Sequence, residues 1–189
     1  MAAILAGGES SRFHADKAMA DLGGAPMIVR VGERLRAQSE DIAVVGHERG
    51  AAVLGCRWLV DPETTTRGPL LGVLAGLLWA ASEDAEWLIT APCDTPFIPL
   101  TFAERLMQAA REARAPAAFA QTQSGAHPLC AVWSPKLVAV FMDHFEAGVH
   151  PQVRAAAQGA QAVMFEDEAA FANINTQAEL DRARLCFQG

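Results

Sequence analysis

The run Leu5-Ala6-Gly7-Gly8-Glu9-Ser10-Ser11-Arg12-Phe13-His14-Ala15-Asp16-Lys17 leaves an apolar segment, turns on adjacent glycines, then presents hydroxyls and two cations. Each feature suits a polyphosphate. Glycines let backbone N–H groups approach phosphate oxygens closely and form an anion-binding concavity, while Arg12 and Lys17 supply charge-assisted hydrogen bonds. No Gly-Lys-Ser/Thr comes after it, so this is not a P-loop, and the spacing is not that of G-x-G-x-x-G. The competing reading is a plain glycine turn with a solvated cationic rim. Asp94 stands between Pro92 and Pro96, just after the apolar run Trp87–Ala91. It is either a rigidly aimed carboxylate, able to hold magnesium together with phosphates, or an Asx turn bonded to its own loop. Asp61-Pro62 ends another apolar run; its carboxylate could accept from a ribose hydroxyl or a base donor, or simply be solvated.

Further along, His127-Pro128 and Val153-Arg154 carry weaker signals, since a single histidine is more often structural and a single arginine more often a surface charge. Asn173-Ile174-Asn175 puts two amides on one side of an extended segment, where paired amides suit a polar heterocycle, although turn-forming Asn before a helix cap is commoner.

These side chains need elements to aim them. Ala2–Ala6, Ile42–Gly46, Trp58–Val60, Trp87–Ala91, Ala117–Ala120 and Leu129–Trp133 read as strands. Between them lie helical patterns. Pro26–Gln38 has Met27, Val31 and Leu35 on one face. Gly68-Pro69-Leu70-Leu71-Gly72 enters a helix, Thr101-x-x-Glu104 reads as a capping box opening a helix to about Arg114, Ser134-Pro135 starts another, and Thr176-x-x-Glu179 caps the last. Such alternation predicts an α/β fold with a doubly wound, mostly parallel sheet and helices on both faces. In open sheets of this kind ligands bind beyond the carboxyl ends of the strands. Gly7 and Gly8, Asp61, Asp94 and the Asn173/Asn175 pair all fall at or near that edge.

Composition narrows the ligand. With 15 Lys+Arg against 22 Asp+Glu the net charge is −7, and the basic residues are scattered, which argues against nucleic acid. A small anion needs only a few local cations. The 189 residues fit one domain. The four cysteines, Cys56, Cys93, Cys130 and Cys186, lack CxxC spacing, so neither a zinc site nor a redox dithiol is expected, and they suit a reducing cytosol. The longest apolar run, Pro69–Ala81, is too short to span a bilayer, so the expected location is the cytoplasm.

Taken in order, Leu5-Ala6-Gly7-Gly8, Arg12, Asp16-Lys17, Asp61, Gly68-Pro69-Leu70-Leu71-Gly72, Ala91-Pro92-Cys93-Asp94-Thr95-Pro96, His127-Pro128-Leu129 and Asn173-Ile174-Asn175-Thr176 resemble the molybdenum cofactor guanylyltransferases over nearly the whole chain. The Leu-Ala-Gly-Gly start is shared with a wider nucleotidyltransferase superfamily, whereas Pro-Cys-Asp-Thr-Pro with Asn-Ile-Asn-Thr is more specific. The resemblance implies a single Rossmann-like domain over residues 1–189, its N-terminal half binding nucleotide and its C-terminal half the acceptor. It implies that GTP and Mg²⁺ react with molybdopterin, or its molybdenum-loaded form, to give a guanine dinucleotide and pyrophosphate. Leu5, Ala6, Gly7 and Gly8 would hold guanine and phosphates through their backbone, Arg12 and Lys17 the triphosphate, Asp61 the nucleotide and Asp94 the magnesium. Lys17, Arg12 and Asp94 would be catalytic, and His127, Arg154, Asn173 and Asn175 would touch the acceptor pterin. Molybdoenzymes and other cofactor-biosynthesis proteins are the implied protein partners, with no nucleic acid and no membrane.

Three stretches depart from the family pattern. Phe13-His14-Ala15 replaces a run such as Met-Gly-Gly, Gly46 stands where an Asn often contacts the base, and His150-Pro151-Gln152 replaces a basic stretch before Val153-Arg154. Guanine selectivity must then come from elsewhere than position 46. The nearest rival activity is cytidylyl transfer to the same acceptor, which would favour CTP. A non-catalytic binding module is the rival from another class, and the presence of both Lys17 and Asp94 counts against it.

Overall fold

β1 (Ala2–Leu5) is four residues long and buried throughout. A strand closed to solvent on both faces belongs inside a parallel sheet with helices above and below. In the computed structural model, which describes residues 1–7, 16–62, 68–146 and 159–187, β1 lies between β2 (Ile42–Val45) and β4 (Leu88–Pro92), parallel to both. With β3 (Arg57–Leu59), β5 (Ala117–Thr122), β6 (Gly125–Trp133) and β7 (Gln161–Met164) they make a seven-stranded sheet in the order β3-β2-β1-β4-β6-β5-β7. Only β6 runs against its neighbours. The sheet is thus mostly parallel.

Alternation along the strands decides which helix each residue meets. Ala2 and Ile4 share a core with Ile28, Val31 and Leu35 of α1 (Met27–Arg36), Ala51 and Leu54 of α2 (Glu48–Leu54), and Phe102 and Leu106 of α4 (Phe102–Ala113). Ala3 and Leu5 point the other way, into a core with Leu70, Leu74 and Leu77 of α3 (Pro69–Ser82) and Phe141 and Phe145 of α5 (Val138–Glu146). Each fully buried Leu, Ile or Phe contributes about 1.5–3 kcal/mol relative to exposure. The helices therefore cover both faces, as the alternation predicts. α3 comes closest at Gly76, where a Cβ would lie 2.9 Å from a methyl of Leu88 and 3.3 Å from the Cβ of Ala3. A smaller core of Leu22, Met27, Ile174, Leu180 and Ala183 docks α6 (Gln177–Arg184) near the start of α1.

Four details differ from the sequence expectations. α2 and β7 are additional elements; α2 is only seven residues long, and the outermost strand β7 is half exposed, so neither leaves a strong apolar period. β6 begins at Gly125 rather than Leu129, which places His127-Pro128 inside the strand. Pro128 is tolerated because the pairing with β5 jumps from Phe119↔Ala131 to Ala120↔His127, an irregularity that demands no ladder donor from it. Thr101 makes no side-chain cap on α4. Gln38 takes that role, its Oε1 accepting from Ala103 N–H at 2.8 Å while its Nε2 donates to Pro99 O at 3.1 Å. The Thr176/Glu179 capping box, in contrast, is complete.

Candidate active site at the carboxyl edge of the sheet

The first four parallel strands in space end level with one another: Leu5 pairs with both Val45 and Pro92, and Val45 with Leu59. The backbone ladder then runs a step further, with Ala6 N–H donating to Val45 O, Gly46 N–H to Leu59 O and Cys93 N–H to Leu5 O, each at 3.0 Å. Ala6-Gly7, Gly46, Asp61 and Asp94 therefore form one rim.

Gly46 adopts φ +76°, and a Cβ there would lie 2.7 Å from Gly7 Cα and 2.9 Å from Gly7 N. The two backbones touch, so no side chain at position 46 can reach over the loop without parting them. Asp61 fills the space beside this contact. Its Oδ2 lies 3.5 Å from where a Gly7 Cβ would be, and its Oδ1 lies 3.7 Å from the corresponding point on Gly72 in the first turns of α3. That Oδ1 is enclosed and has no hydrogen-bond partner among the described residues, and burial pushes the Asp61 carboxyl above its ordinary pKa. An enclosed acceptor of this kind awaits a donor.

At the end of β4, Lys17 Nζ donates to Asp94 Oδ2 at 2.5 Å and to Asn175 Oδ1 at 2.6 Å. The side chains of Lys17 and Asp94 are 13% and 15% exposed, so the pair is shielded enough to be more than a surface ion pair. The Asx-turn reading of Asp94 fails: Thr95 Oγ1 holds the turn by donating to Pro92 O at 2.9 Å, and the Asp94 carboxylate is turned to the lysine. Asp94 Oδ1 is enclosed without a partner among the described residues. Asn175 is held in turn, because its N–H donates to Glu179 Oε2 at 2.7 Å within the α6 cap, and those backbone donors keep the Glu179 carboxyl below its usual range. Ile174 N–H donates to Asp94 O at 3.0 Å, which ties the two segments by their backbones as well.

The remaining expected residues lie apart. His127 stacks on Phe171 with centroids 5.2 Å apart and its Nε2 is 3.0 Å from Thr122 Oγ1; burial lowers its pKa, opposed by Glu168. Its partners are thus Phe171 and Thr122 rather than Lys17 or Asp94. Asn173 is exposed, on the side opposite buried Ile174. Asn175, expected beside the acceptor, is bonded to the lysine expected on the triphosphate. Gly8, Arg12, Phe13-His14-Ala15, His150-Pro151-Gln152 and Arg154 lie outside the described residues. Reasoning from sequence missed His47, whose Nε2 is 2.9 Å from Asp16 Oδ1. A histidine capping a short helix leaves no recognisable pattern.

Among the described residues no three His, Cys, Asp or Glu side chains converge on a metal site. A divalent cation here would rest on one or two carboxylates completed by phosphates and water, which is how Mg²⁺ is commonly held in nucleotide enzymes. The unpartnered Asp94 Oδ1 fits that description. Among the described residues, no helix is long and apolar enough to cross a membrane.

Comparison with known proteins agrees with this geometry. Residues 2–169 match the family described as MobA-like NTP transferase domain. A molybdenum cofactor guanylyltransferase of Cereibacter sphaeroides is 42% identical over 183 residues, covering 95% of this chain and 93% of its own length. The molybdenum cofactor guanylyltransferase of Acidiphilium cryptum is 39% identical over 189 residues, covering 96% and 92%. Among solved structures, molybdopterin-guanine dinucleotide biosynthesis protein A from Archaeoglobus fulgidus superposes with a TM-score of 0.75 at 20% identity, covering 100% of this chain and 99% of that one. That last likeness concerns the fold.

Proposed function

The chain belongs to the molybdenum cofactor guanylyltransferases within the MobA-like NTP transferase family, and on that premise we propose that it transfers GMP from GTP to molybdopterin or molybdenum-molybdopterin, releasing pyrophosphate. The observation that carries this reading is Lys17 Nζ bridging Asp94 and Asn175 on the same rim as Gly7 and Asp61. A cation, a hard carboxylate with a free oxygen and a glycine-lined turn are what a nucleoside triphosphate requires.

The acceptor's terminal phosphate monoester has a second pKa near about 6, so at neutral pH it is already an anionic nucleophile and needs no general base. One of its oxygens attacks the α-phosphorus of GTP, the bond from that phosphorus to the α,β-bridging oxygen breaks, and the electron pair leaves with pyrophosphate. The chain's task is to hold two polyanions in line and offset their repulsion. Lys17 exchanges its carboxylate partner for a phosphate oxygen, and Asp94 Oδ1 would hold Mg²⁺, which when bound would offset charge on the phosphates and on the departing pyrophosphate. Leu5, Ala6, Gly7 and Gly8 offer backbone groups to the nucleotide, Arg12 adds charge, and Asp61 Oδ1 accepts from a nucleotide donor. His127, Arg154, Asn173 and Asn175 contact the acceptor pterin.

Incubating the protein with molybdopterin, MgCl₂ and each nucleoside triphosphate tests the reading. Pyrophosphate release is expected with GTP and is expected to stop on chelation. Preference for CTP would replace guanylyl by cytidylyl transfer, and nucleotide binding without release would sink the catalytic reading in favour of a binding module.

A further inference from the structure

The residue just before Lys17 is gripped from the opposite side of the rim. His47 comes directly after Gly46, the glycine pressed against Gly7, and serves as the N-cap of α2, its Nδ1 accepting from Gly50 N–H at 2.9 Å. Because Nδ1 accepts, the ring hydrogen must sit on Nε2, and Nε2 donates to Asp16 Oδ1 at 2.9 Å. The ring has little freedom: a Cβ at Gly50 would lie 2.8 Å from Nδ1 and 2.5 Å from the terminal methyl of Ile28. Arg49, from the same helix, adds a looser contact to Asp16 Oδ2 at 4.0 Å. Thus Asp16 is fixed to the β2–α2 junction while Lys17 reaches the other way to Asp94 and Asn175.

We infer that His47 is a positioning residue for the nucleotidyl-transfer reaction, tethering Asp16 so that Lys17 can pass from Asp94 to a phosphate by side-chain rotation alone. The inference rests on the proposed transferase reading. A lysine whose backbone is held keeps its ammonium within reach of both partners, whereas a drift of about 1 Å in a catalytic group can lower rate by about 100-fold. The tether and the cap are separable. Asparagine is a good N-cap but too short to reach Asp16, so His47→Asn removes only the tether. Asp16→Asn keeps an acceptor oxygen, and Asp16→Ala does not.

The expected pattern is a fall of about 10-fold in kcat for His47→Asn and for Asp16→Ala, with GTP affinity changed less than about 3-fold. Asp16→Asn should stay near wild type, the double variant His47→Asn/Asp16→Ala should be no worse than either single one, and the Tm of His47→Asn should be unchanged. Two readouts do not depend on turnover. The ¹⁵N imidazole signals of His47 should report hydrogen on Nε2, and limited acylation of Lys17, with Lys136 as the reference, should speed up in His47→Asn and Asp16→Ala but not in Asp16→Asn. Hydrogen on Nδ1, additive losses in the double variant, or unaltered kcat and Lys17 acylation would overturn the tether. A wild-type protein that releases no pyrophosphate yet gives the expected imidazole and acylation results would overturn the transferase reading and leave the tether standing.

Discussion

Asp61 and Asp94 end strands of one sheet and face the same rim, each with an enclosed oxygen lacking a partner among the described residues, yet their electrical surroundings differ. Asp94 has a lysine at 2.5 Å. Among the described residues, Asp61 has only loss of solvation acting on it, which raises its pKa. A carboxylate whose one oxygen is paired with a cation can present its other oxygen to a metal. A carboxylate that burial alone disfavours gains most from an N–H or O–H donor brought by a ligand. One residue type on one edge is thus suited to two tasks by what lies beside it.

The largest effect that could break this contrast is at Asp94. Asp94→Asn keeps shape and a hydrogen bond to Lys17 but removes the anion, and turnover should fall about 10²- to 10³-fold in a folded protein. Full activity in steady-state pyrophosphate release would remove the metal role. Next comes Asn175→Ala, which takes from Lys17 the partner that shares it with Asp94; a loss of about 10- to 100-fold in turnover is expected, comparable to removing an outer-shell ligand elsewhere.

Asp61→Asn should act differently on function and on stability. Losing the charged acceptor should raise KM for GTP about 10-fold, the equivalent of about 1.4 kcal/mol. Thermal stability at neutral pH should instead rise, because the folded state no longer buries a carboxylate. The sign comes from linkage: with the folded pKa raised, the wild-type carboxyl favours the folded state fully only below its unfolded pKa and loses that advantage as pH rises through the folded value. The Tm gap between variant and wild type should therefore close below about pH 4, near the ordinary aspartate pKa. A gap that persisted there would point to packing instead of charge.

The smallest effect concerns Cys93, next to Asp94. Loss of solvation, and after it the Asp94 charge, push its thiol up to about 12, and burial takes Cys130 to about 12 as well. Alkylation at pH 8 and then peptide mapping should label exposed Cys186 and spare both. Labelling of Cys93 would mean that the environment of Asp94 is more open than that of an enclosed ion pair.

Much of this was legible in the sequence because the rim obeys a topological rule. Once Ala2–Leu5, Arg57–Leu59 and Leu88–Pro92 are recognised as strands of one parallel sheet, the residues at their carboxyl ends must share one edge. Gly7, Asp61 and Asp94 are found this way. Lateral contacts are a different matter. That Lys17 would meet Asn175 depends on how α6 docks through Leu180 and Ala183 onto Leu22 and Met27, a contact between distant segments that no local period encodes. Thr101-x-x-Glu104 illustrates the converse, a correct local pattern displaced by Gln38 from another element. Gly46 is the most instructive case: the sequence reveals an absent side chain, and only the approach of Gly7 explains it.

The clasp between α6 and the segment around Lys17 and Asp21 also matters while the protein is being made. The chain leaves the ribosome N-terminus first, so the strands preceding Gly7, Asp61 and Asp94 emerge well before α6. Lys17 gains Asn175, and Arg184 reaches Asp21 O at 3.1 Å, only when α6 has docked. A nascent or prematurely terminated chain would present the rim with one lysine partner missing. Completion of the rim thus depends on the docking of α6 and not on the strands alone.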